Sequence, residues 1–210
     1  MKRTCPIFAA LTSLTFAATL AAADEPAGFV SLFDGESLSG WEGNLEMFRV
    51  QDGAIVAGSL AENIPHNDFL CTKKPYGDFE LRLKCKLTPA SGNAGIQFRS
   101  ARIPDHFEVR GYQADMGQGW WGKLYDESRR AKVLAEPKPG VVEKVLKPGE
   151  WNEYRIRCRG DHIELWLNGV QTVDYTEPEK SLPATGIIGL QIHGGGPAEA
   201  SYQDILIREL

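Results

Sequence analysis

The run Asp78-Phe79-Glu80-Leu81-Arg82-Leu83-Lys84-Cys85-Lys86-Leu87 alternates charged side chains with side chains that pack in cores. Successive side chains of a β-strand point to opposite faces, so this spacing predicts a strand with one buried and one solvated face. Such strands are typical of antiparallel sheets that cover one hydrophobic core.

Shorter β-prone runs lie on both sides of this strand, separated by turns rich in glycine, asparagine and aspartate. They are Phe29–Phe33, Met47–Gln51, Ala54–Ala57, Phe69–Thr72, Ala94–Arg99, Phe107–Asp115, Trp121–Tyr125, Ala131–Leu134, Asn152–Arg159, His162–Leu167, Val170–Tyr175, Gly186–His193 and Tyr202–Arg208. One helical turn is expected near Val142–Val145, and the sequence lacks the crossover helices of a parallel sheet. The pattern therefore predicts an all-β protein, an antiparallel two-sheet sandwich.

Composition places the chain among soluble globular proteins. It has 210 residues, of which 28 are acidic and 23 basic, for a formal charge of −5. With 42% hydrophobic and 24% charged residues it is long enough for one well-cored domain. Disorder, collagen and an integral membrane bundle are excluded. A nucleic-acid partner is not expected, because the sequence has no dense basic region.

The first residues have the features of a cleaved export signal. Lys2 and Arg3 give a positive start, an apolar run follows over Ile7–Leu20, and Ala21–Ala23 supplies small residues for cleavage. We therefore predict a signal peptide at residues 1–23 and an exported single domain at residues 24–210, without a membrane span after cleavage. The alternative is a membrane anchor, for which the apolar run is short.

Three cysteines remain after this cleavage, so at least one thiol is unpaired. Cys85 and Cys158 share the parity of apolar neighbours and are expected in the core, either bonded to each other or, more commonly for such residues, free. Neither a Cys-x-x-Cys pair nor a Cys/His cluster with zinc spacing occurs. Structural zinc is not expected.

Two of the predicted strands carry paired polar side chains opposite their apolar residues. Alternation places Gln97 and Arg99 on one face of the first, and Gln191 beside His193 on one face of the second. A solvated face is usually built from lysine and glutamate, as residues 78–87 show. The glutamines therefore favour a binding groove.

Residues 111–130 combine aromatic, carboxylate, amide and arginine side chains between glycines. A sugar offers apolar C–H faces and many hydroxyls, so this mixture suits a site for a polyhydroxylated ring. An aromatic-rich hairpin with surface ion pairs is the alternative. Strict alternation puts Gln113 and Asp115 on the face opposite Glu108, but a bulge at Gly111 would change this phase. Which carboxylate faces the groove is left open.

Several motifs along the chain resemble those of the 3-keto-disaccharide hydrolase family. In chain order they are Gly28–Gly35 with Gly40-Trp41, Asn93–Ser100, Gly111–Asp115, Leu124–Glu127 with Arg129-Arg130, Gly149–Asn152 and Gly189–Gly195. The resemblance extends from Gly28 to Leu210. It implies a jelly-roll sandwich of the concanavalin A-like lectin and glucanase type, and an exported bacterial protein, periplasmic or extracellular.

The resemblance also implies cleavage of the glycosidic bond of a sugar already oxidised at C3. A ketone at C3 acidifies the C2 proton, so a base can remove this proton and the C1 substituent can leave. Water can then add to the resulting enone. This chemistry needs one base, donors to the enolate oxygen and an acid for the leaving group.

The residues found above supply candidates for each role. His193 is the candidate base, because the pKa of an unperturbed imidazole suits neutral pH; a histidine merely hydrogen-bonded at a strand end is a nearly equal interpretation. Arg99 and Arg129 are candidates for enolate stabilisation, and Asp115 and Glu127 for proton transfer or for orienting the histidine. The expected sugar contacts are Gln97, Gln113, Gln191, Tyr112, Trp120, Trp121, Tyr125 and Glu108.

A non-catalytic carbohydrate-binding module is the alternative function, since many β-sandwiches bind glycans in aromatic grooves. A conventional β-glucanase of this fold would carry a Glu-x-Asp-x-x-Glu strand, which the sequence lacks. The proposed chemistry requires no cofactor. Jelly rolls of this kind sometimes carry a structural calcium ion, although the sequence has no EF-hand loop. The expected partner is a carbohydrate, and the oligomeric state is left open.

Overall fold

The structure is a computed structural model that describes residues 26–210, and these residues form two antiparallel β-sheets. The strands are β1 (Val30–Ser31), β2 (Trp41–Glu42), β3 (Phe48–Gln51), β4 (Ala54–Ser59), β5 (Asp68–Thr72), β6 (Phe79–Thr88), β7 (Asn93–Arg102), β8 (Val109–Gly117), β9 (Leu124–Glu127), β10 (Lys132–Ala135), β11 (Asn152–Arg159), β12 (His162–Leu167), β13 (Val170–Thr176), β14 (Ile187–Ile192) and β15 (Ala198–Glu209). A short helix, α1 (Val141–Val145), lies between β10 and β11 in the chain.

The eight-stranded sheet has the order β13-β12-β11-β6-β15-β4-β3, with β1 paired to β15. The seven-stranded sheet has the order β10-β9-β8-β7-β14-β5-β2. This arrangement confirms the predicted all-β sandwich of two antiparallel sheets. The predicted signal peptide at residues 1–23 lies outside the described residues. Within residues 26–210, no helix has the length and apolar character needed to cross a bilayer.

The alternating run of residues 78–87 becomes β6, in the interior of the eight-stranded sheet. Leu81 and Leu83 are at most 1% exposed, whereas the Arg82 side chain between them is 37% exposed. Across the core Phe79 meets Phe98 of β7 edge to face, with ring centroids 6.4 Å apart. Burying a large apolar side chain contributes about 1.5 to 3 kcal/mol, so this alternation drives the two sheets together.

The observed strands follow the predicted order and differ in length where turns intervene. Trp41–Glu42 pairs with β5 as an additional edge strand. The sequence did not predict this strand, because two residues are too few to show alternation. The strand expected over Phe107–Asp115 begins at Val109, and the one expected over Trp121–Tyr125 begins at Leu124. Hydrogen-bonded turns occupy the residues just before these strands.

The three cysteines of the described residues, Cys71, Cys85 and Cys158, are buried free thiols. Cys85 of β6 lies opposite Asn152, and Cys158 of β11 lies opposite Phe79, so the two predicted core thiols occupy opposite ends of the same strand pairing. Burial raises the pKa of all three thiols. They therefore pack as small apolar groups.

A β-bulge interrupts the pairing of β7 with β8 just after Phe98. Arg99 has a φ of 45° there, in the left-handed region that non-glycine residues rarely occupy. Gly111 on β8 has a φ of 146°, and a Cβ at this position would lie 2.7 Å from Ser100 Cα. The close approach of the two backbones therefore requires glycine. The bulge turns the Arg99 side chain away from the face that holds Gln97.

Candidate functional site

Four neighbouring strands of the seven-stranded sheet, β9, β8, β7 and β14, place polar side chains on its outer face, away from the core. Gln97 of β7 lies opposite Gln113 of β8. Gly95 of β7 lies opposite Asp115 of β8 on one side and Gln191 of β14 on the other. The register therefore brings together polar side chains that are far apart in the sequence.

Hydrogen bonds join these glutamines to two carboxylates. Gln97 Nε2 donates to Gln113 Oε1 at 2.7 Å. Gln113 Nε2 in turn donates to Asp115 Oδ1 at 2.6 Å and to Glu127 Oε2 at 3.5 Å. Gln191 Nε2 donates to the same Glu127 oxygen at 3.2 Å. Amide hydrogens thus bridge two carboxyl groups that would repel each other when both are charged. These side chains are called the amide network below.

Gly95 forms the floor under the amide network. A Cβ at this position would lie 2.4 Å from Gln113 Cδ, so the Gln113 amide lies across bare backbone. Gly189 of β14 likewise leaves room beside Gln97, because a Cβ at this position would lie 3.2 Å from Gln97 Cβ. Both glycines are required for space, because a side chain at either position would displace a glutamine.

Two buried oxygens of the amide network have no hydrogen-bond partner among the described residues, Asp115 Oδ2 and Gln191 Oε1. Asp115 is 3% exposed and Gln191 is fully buried. An unpaired buried acceptor costs about 1 to 3 kcal/mol, so each of these oxygens retains the capacity to accept one hydrogen bond. A substrate hydroxyl or a transferred proton would supply the donor.

The two carboxyl groups hold their protons more tightly than usual. Burial raises the pKa of Asp115 from 3.8 to about 7, and the neighbouring Glu127 adds to the rise. The hydrogen bond from Gln113 and the charge of Lys123 lower the Asp115 pKa in part. Burial and the nearby Glu108 carboxylate also raise the pKa of Glu127. A carboxyl group that titrates near pH 7, as Asp115 does, can take and give protons, the property of general acids and bases.

Loops build the rim of the network beside β9. Glu108, one of the predicted contacts, accepts from Asn67 Nδ2 and from Ser128 Oγ, both at 3.1 Å. Asn67 Oδ1 also accepts from the Gly194 N–H at 3.0 Å, which ties the end of β14 to this rim. Sequence reasoning missed Asn67, because it lies in a loop without a periodic pattern.

His193 lies just beyond the end of β14, where it is exposed. Its Nδ1 is 2.6 Å from the Gly194 carbonyl oxygen. It lowers the pKa of Glu127, so it is close enough to act on that charge. The imidazole thus lies at the rim, and it contacts neither of the two unpaired oxygens.

Exposed aromatic rings lie at the margins of the network. Trp120 is 38% exposed and meets Tyr125 of β9 edge to face, with centroids 5.8 Å apart. Phe107 is 44% exposed and stacks on His66 at 4.0 Å. Rings presented in this way can stack on the C–H face of a sugar. Phe107 and His66 were missed, since the alternation placed the former inside a strand.

The expectation that Arg99 shares the face of Gln97 is wrong. Beyond the bulge its side chain, 2% exposed, enters the space between the sheets. Its guanidinium donates to Asp78 Oδ1 at 2.7 Å, to Gly77 O at 3.0 Å and to Gly160 O at 2.6 Å. Arg99 therefore joins the two sheets and is not available to an enolate on the outer face.

Three further predicted site residues lie on the core side of the sheet. Tyr112 is buried, and Arg129 lies over its ring at 4.4 Å while pairing with Asp126 at 2.9 Å. Trp121 is buried and stacks on Tyr154, with centroids 6.1 Å apart. Their assignment to the sugar site is corrected, because alternation along β8 and the turns that flank β9 direct them inward.

Hydrocarbon closes another part of the outer face. Phe69, Cys71 and Val109 form a separate buried apolar cluster there, with Ile187 packed against it. The amide network is therefore confined to the part of the face around the two carboxyl groups.

A cavity of about 840 Å³ lies apart from the amide network, at the end of the sandwich beside α1. Its walls include Leu87, Trp121, Val142 and Leu146. Polar side chains also line it, and two of these, Lys123 and Glu136, are paired with each other at 3.3 Å. The chemistry of the outer face makes it the better candidate site.

Among residues 26–210, three side chains have the spacing of metal ligands: His162, Glu164 and Asp174, on the eight-stranded sheet. His162 Nε2 lies 2.7 Å from Asp174 Oδ1, and Arg157 Nε donates to Glu164 Oε2 at 2.6 Å. An arginine on one of the carboxylates competes with a cation for it. The group is therefore interpreted as an ion-pair network, separate from the amide network.

Comparison with known proteins gives a match over nearly the whole described chain. The profile of the 3-keto-alpha-glucoside-1,2-lyase-like domain family matches residues 28–208. The chain is also similar to a 3-keto-disaccharide hydrolase from Bacteroides thetaiotaomicron, with 23% identity over 171 residues. That alignment covers 70% of this chain and 58% of the relative, so the chain spans less than two thirds of the relative's length.

Solved structures show the same fold. A protein from Parabacteroides distasonis, provisionally assigned as a glycosyl hydrolase, has a TM-score of 0.65 at 20% identity and covers 87% of this chain and 94% of its own. A carbohydrate-binding module from Bacillus subtilis has a TM-score of 0.53 at 16% identity, covering 87% of this chain and 96% of its own. At these identities the likeness establishes the fold alone, and it confirms the predicted jelly-roll type of sandwich.

Proposed function

The chain belongs to the 3-keto-alpha-glucoside-1,2-lyase-like domain family, and we propose that it cleaves the glycosidic bond of 3-keto glycosides on the outer face of the seven-stranded sheet. One observation carries this proposal. The buried Asp115 carboxyl has an unpaired Oδ2 among the described residues, and its pKa is raised to about 7. Such a group suits the removal of an acidified proton at neutral pH.

The proposed reaction starts at the C2–H bond, which the C3 ketone acidifies. Asp115 Oδ2 takes the C2 proton, and the electron pair of this bond forms an enolate with the C3 carbonyl. Collapse of the enolate expels the C1 oxygen substituent as an alcohol and leaves a C1=C2 double bond conjugated with the ketone. Water then adds at C1, and the proton on Asp115 returns to C2, which regenerates the carboxylate.

Glu127 is the proposed acid for the leaving group. Burial and the Glu108 carboxylate raise its pKa, which favours the protonated form that this role requires, and it recovers the proton from the water that adds at C1. Gln113 and Gln191 both donate to its Oε2, so the remaining oxygen carries the proton. This division of roles needs two carboxyl groups within reach of one sugar, which the shared amide of Gln113 provides.

The enolate oxygen requires hydrogen-bond donors. Since Arg99 and Arg129 lie on the core side, we assign this role to the Gln191 amide, whose nitrogen carries two hydrogens and gives one of them to Glu127. His193, the base expected from the sequence, lies on the exposed rim, and its Nδ1 hydrogen is already given to the Gly194 carbonyl oxygen.

The sugar ring is proposed to stack on the aromatic margin formed by Trp120 and Tyr125. A hydroxyl of the sugar would donate to the unpaired Gln191 Oε1. Gln97 makes no direct contact in this arrangement, because both ends of its amide are already bonded, to Ser100 and Gln113.

Turnover of 3-keto-trehalose and 3-keto-lactose by the purified protein tests the proposal, with the unoxidised parent sugars as controls. Asp115→Asn keeps the shape of the side chain and removes the base, so kcat should fall at least about 100-fold with little change in KM. Asp161→Asn, at an exposed carboxylate of the other sheet, is the matched control. Undiminished turnover by Asp115→Asn would reject the proposed base. Equal turnover of the parent sugars would reject the requirement for a ketone.

A second candidate is a non-catalytic carbohydrate-binding module. The exposed rings of Trp120 and Phe107 favour it, because binding modules hold glycans by such stacking. Calorimetric binding of unoxidised glycans, without turnover of any keto sugar, would establish this function instead.

A further inference from the structure

Ser100 has no contact with the proposed substrate, yet it is bonded to the amide network. It is 3% exposed, and its Oγ lies 2.7 Å from Gln97 Oε1, nearer than to its two other acceptors, the carbonyl oxygens of Phe98 at 2.9 Å and Tyr112 at 3.3 Å. The single hydroxyl hydrogen is assigned to this shortest contact. We propose that Ser100 is a positioning residue: its hydroxyl fixes the rotation of the Gln97 amide and, through it, that of Gln113, which holds both carboxyl groups. The catalytic consequence rests on the function proposed above.

An amide can rotate so that its oxygen and nitrogen exchange places. In the observed order each contact pairs a donor with an acceptor, from Ser100 to Gln97, from Gln97 to Gln113, and from Gln113 to Asp115. If Gln97 rotated, its oxygen would face the oxygen of Gln113. Gln113 would then have to rotate too, and its oxygen would face the carboxylates. The amides of Gln97 and Gln113 therefore either both keep the observed orientation or both rotate.

The groups at the two ends of this series of hydrogen bonds determine which way the donors point. Ionised Asp115 only accepts hydrogen bonds, and at the other end Gln97 Oε1 has the Ser100 hydroxyl as its donor among the described residues. Gln97 is fully buried. Removing the hydroxyl leaves a buried acceptor unpaired unless the amide rotates. Either outcome weakens the hydrogen bond from Gln113 that lowers the pKa of Asp115.

NMR titration of the Asp115 carboxyl carbon in the full chain tests this without any need for turnover. Ser100→Ala should raise the titration midpoint by about 0.5 pH units or more. With 3-keto sugars it should lower kcat about threefold or more, at little change in KM. Cys71→Ala is the control, because it also shortens a small buried side chain on the same face but lies outside the amide network. It should leave the midpoint unchanged.

A double-mutant cycle separates positioning from general destabilisation. Gln97→Met keeps the side-chain length and removes both amide ends, so Ser100→Ala should shift the Asp115 midpoint no further in that background. An unchanged midpoint in Ser100→Ala, or additive shifts in the cycle, would overturn the proposal. If Ser100→Ala does not fold, Gln97→Met alone decides, and an unchanged midpoint again overturns it.

The two proposals fail separately. If the midpoint shifts as predicted but the protein turns over no keto sugar, the proposed function is rejected and the positioning role of Ser100 is supported. If the wild type turns over keto sugars but the Asp115 midpoint shifts in neither variant, the positioning role of Ser100 is rejected and the proposed function is supported.

Discussion

Asp126 and Glu127 are adjacent in the chain and serve opposite faces of the seven-stranded sheet. Asp126 is fully buried on the core side, where Arg129 Nε donates to it at 2.9 Å and Arg130 also binds it. Glu127 points outward, into the amide network. β9, next to the edge strand β10, thus holds one carboxylate in the core and presents the next on the outer face.

The stability of the protein should fall as the pH rises from about 4 to about 7. Folding raises the pKa of Asp115 from 3.8 to about 7, so in this window the folded state holds a proton that the unfolded chain has released. This stabilisation is fully present below pH 3.8, is lost as the pH passes about 7, and amounts to at most about 4 kcal/mol. Denaturant unfolding of the wild type and Asp115→Asn at several pH values measures it. Parallel stability curves for the two proteins would contradict the shifted pKa.

The pH dependence of turnover should follow the same group. The base must be ionised to take the C2 proton and the acid must be protonated to give one, so kcat/KM for a 3-keto sugar should rise with pH as Asp115 ionises, around pH 7, and fall again as Glu127 loses its proton. Steady-state rates over this range test the expectation. If kcat/KM instead rose around pH 4, the base would be a carboxyl group with an ordinary pKa.

Gly95→Ala should disturb the amide network while leaving the sandwich folded. Its Cβ would lie 2.4 Å from Gln113 Cδ, so the amide must move off the two carboxyl groups, and kcat should fall about tenfold or more. Gly196→Ala is the matched control, because a Cβ there meets nothing within 4 Å. Equal rates for the two variants would contradict a network held flat on the backbone.

Arg99→Met should affect stability and spare the chemistry. It removes a guanidinium that is 2% exposed, takes its donor from each of two backbone carbonyls, and leaves Asp78 with only the Gly160 N–H, at a cost of about 2 to 4 kcal/mol. The exposed pair of Lys74 and Glu209 provides the control, since Lys74→Met should barely change the free energy of unfolding. A large loss of kcat in folded Arg99→Met protein would return this arginine to the catalytic site.

Trp120 and Trp121 should respond differently to truncation. Trp120→Ala removes an exposed ring at the site margin, so substrate affinity should fall about tenfold at unchanged stability. Trp121→Ala opens the core beside Tyr154 and should cost about 3 to 5 kcal/mol of unfolding free energy. Calorimetric binding and denaturant unfolding of both variants distinguish them. A stability loss in Trp120→Ala together with an affinity loss in Trp121→Ala would contradict the assignment of Trp120 to the sugar.

Alternation was sufficient to predict the sandwich and the strand face on which Gln97 and Gln191 each lie, because both depend only on which face a strand residue occupies. It failed at Arg99, since the bulge arises from the close approach of two backbones at Gly111. It also missed Asn67, which reaches the rim through the path of a loop. Contacts that depend on tertiary proximity leave no periodic mark in the sequence.

Asp115 and Glu127, the carboxyl groups proposed to handle protons, stand on strands within the sheet, whereas the exposed rings of Trp120 and Phe107 stand on the connections at its border. Under the proposed function, remodelling those connections changes which sugar is admitted without altering the strands beneath. An engineer seeking a new specificity should randomise the border and leave the sheet untouched.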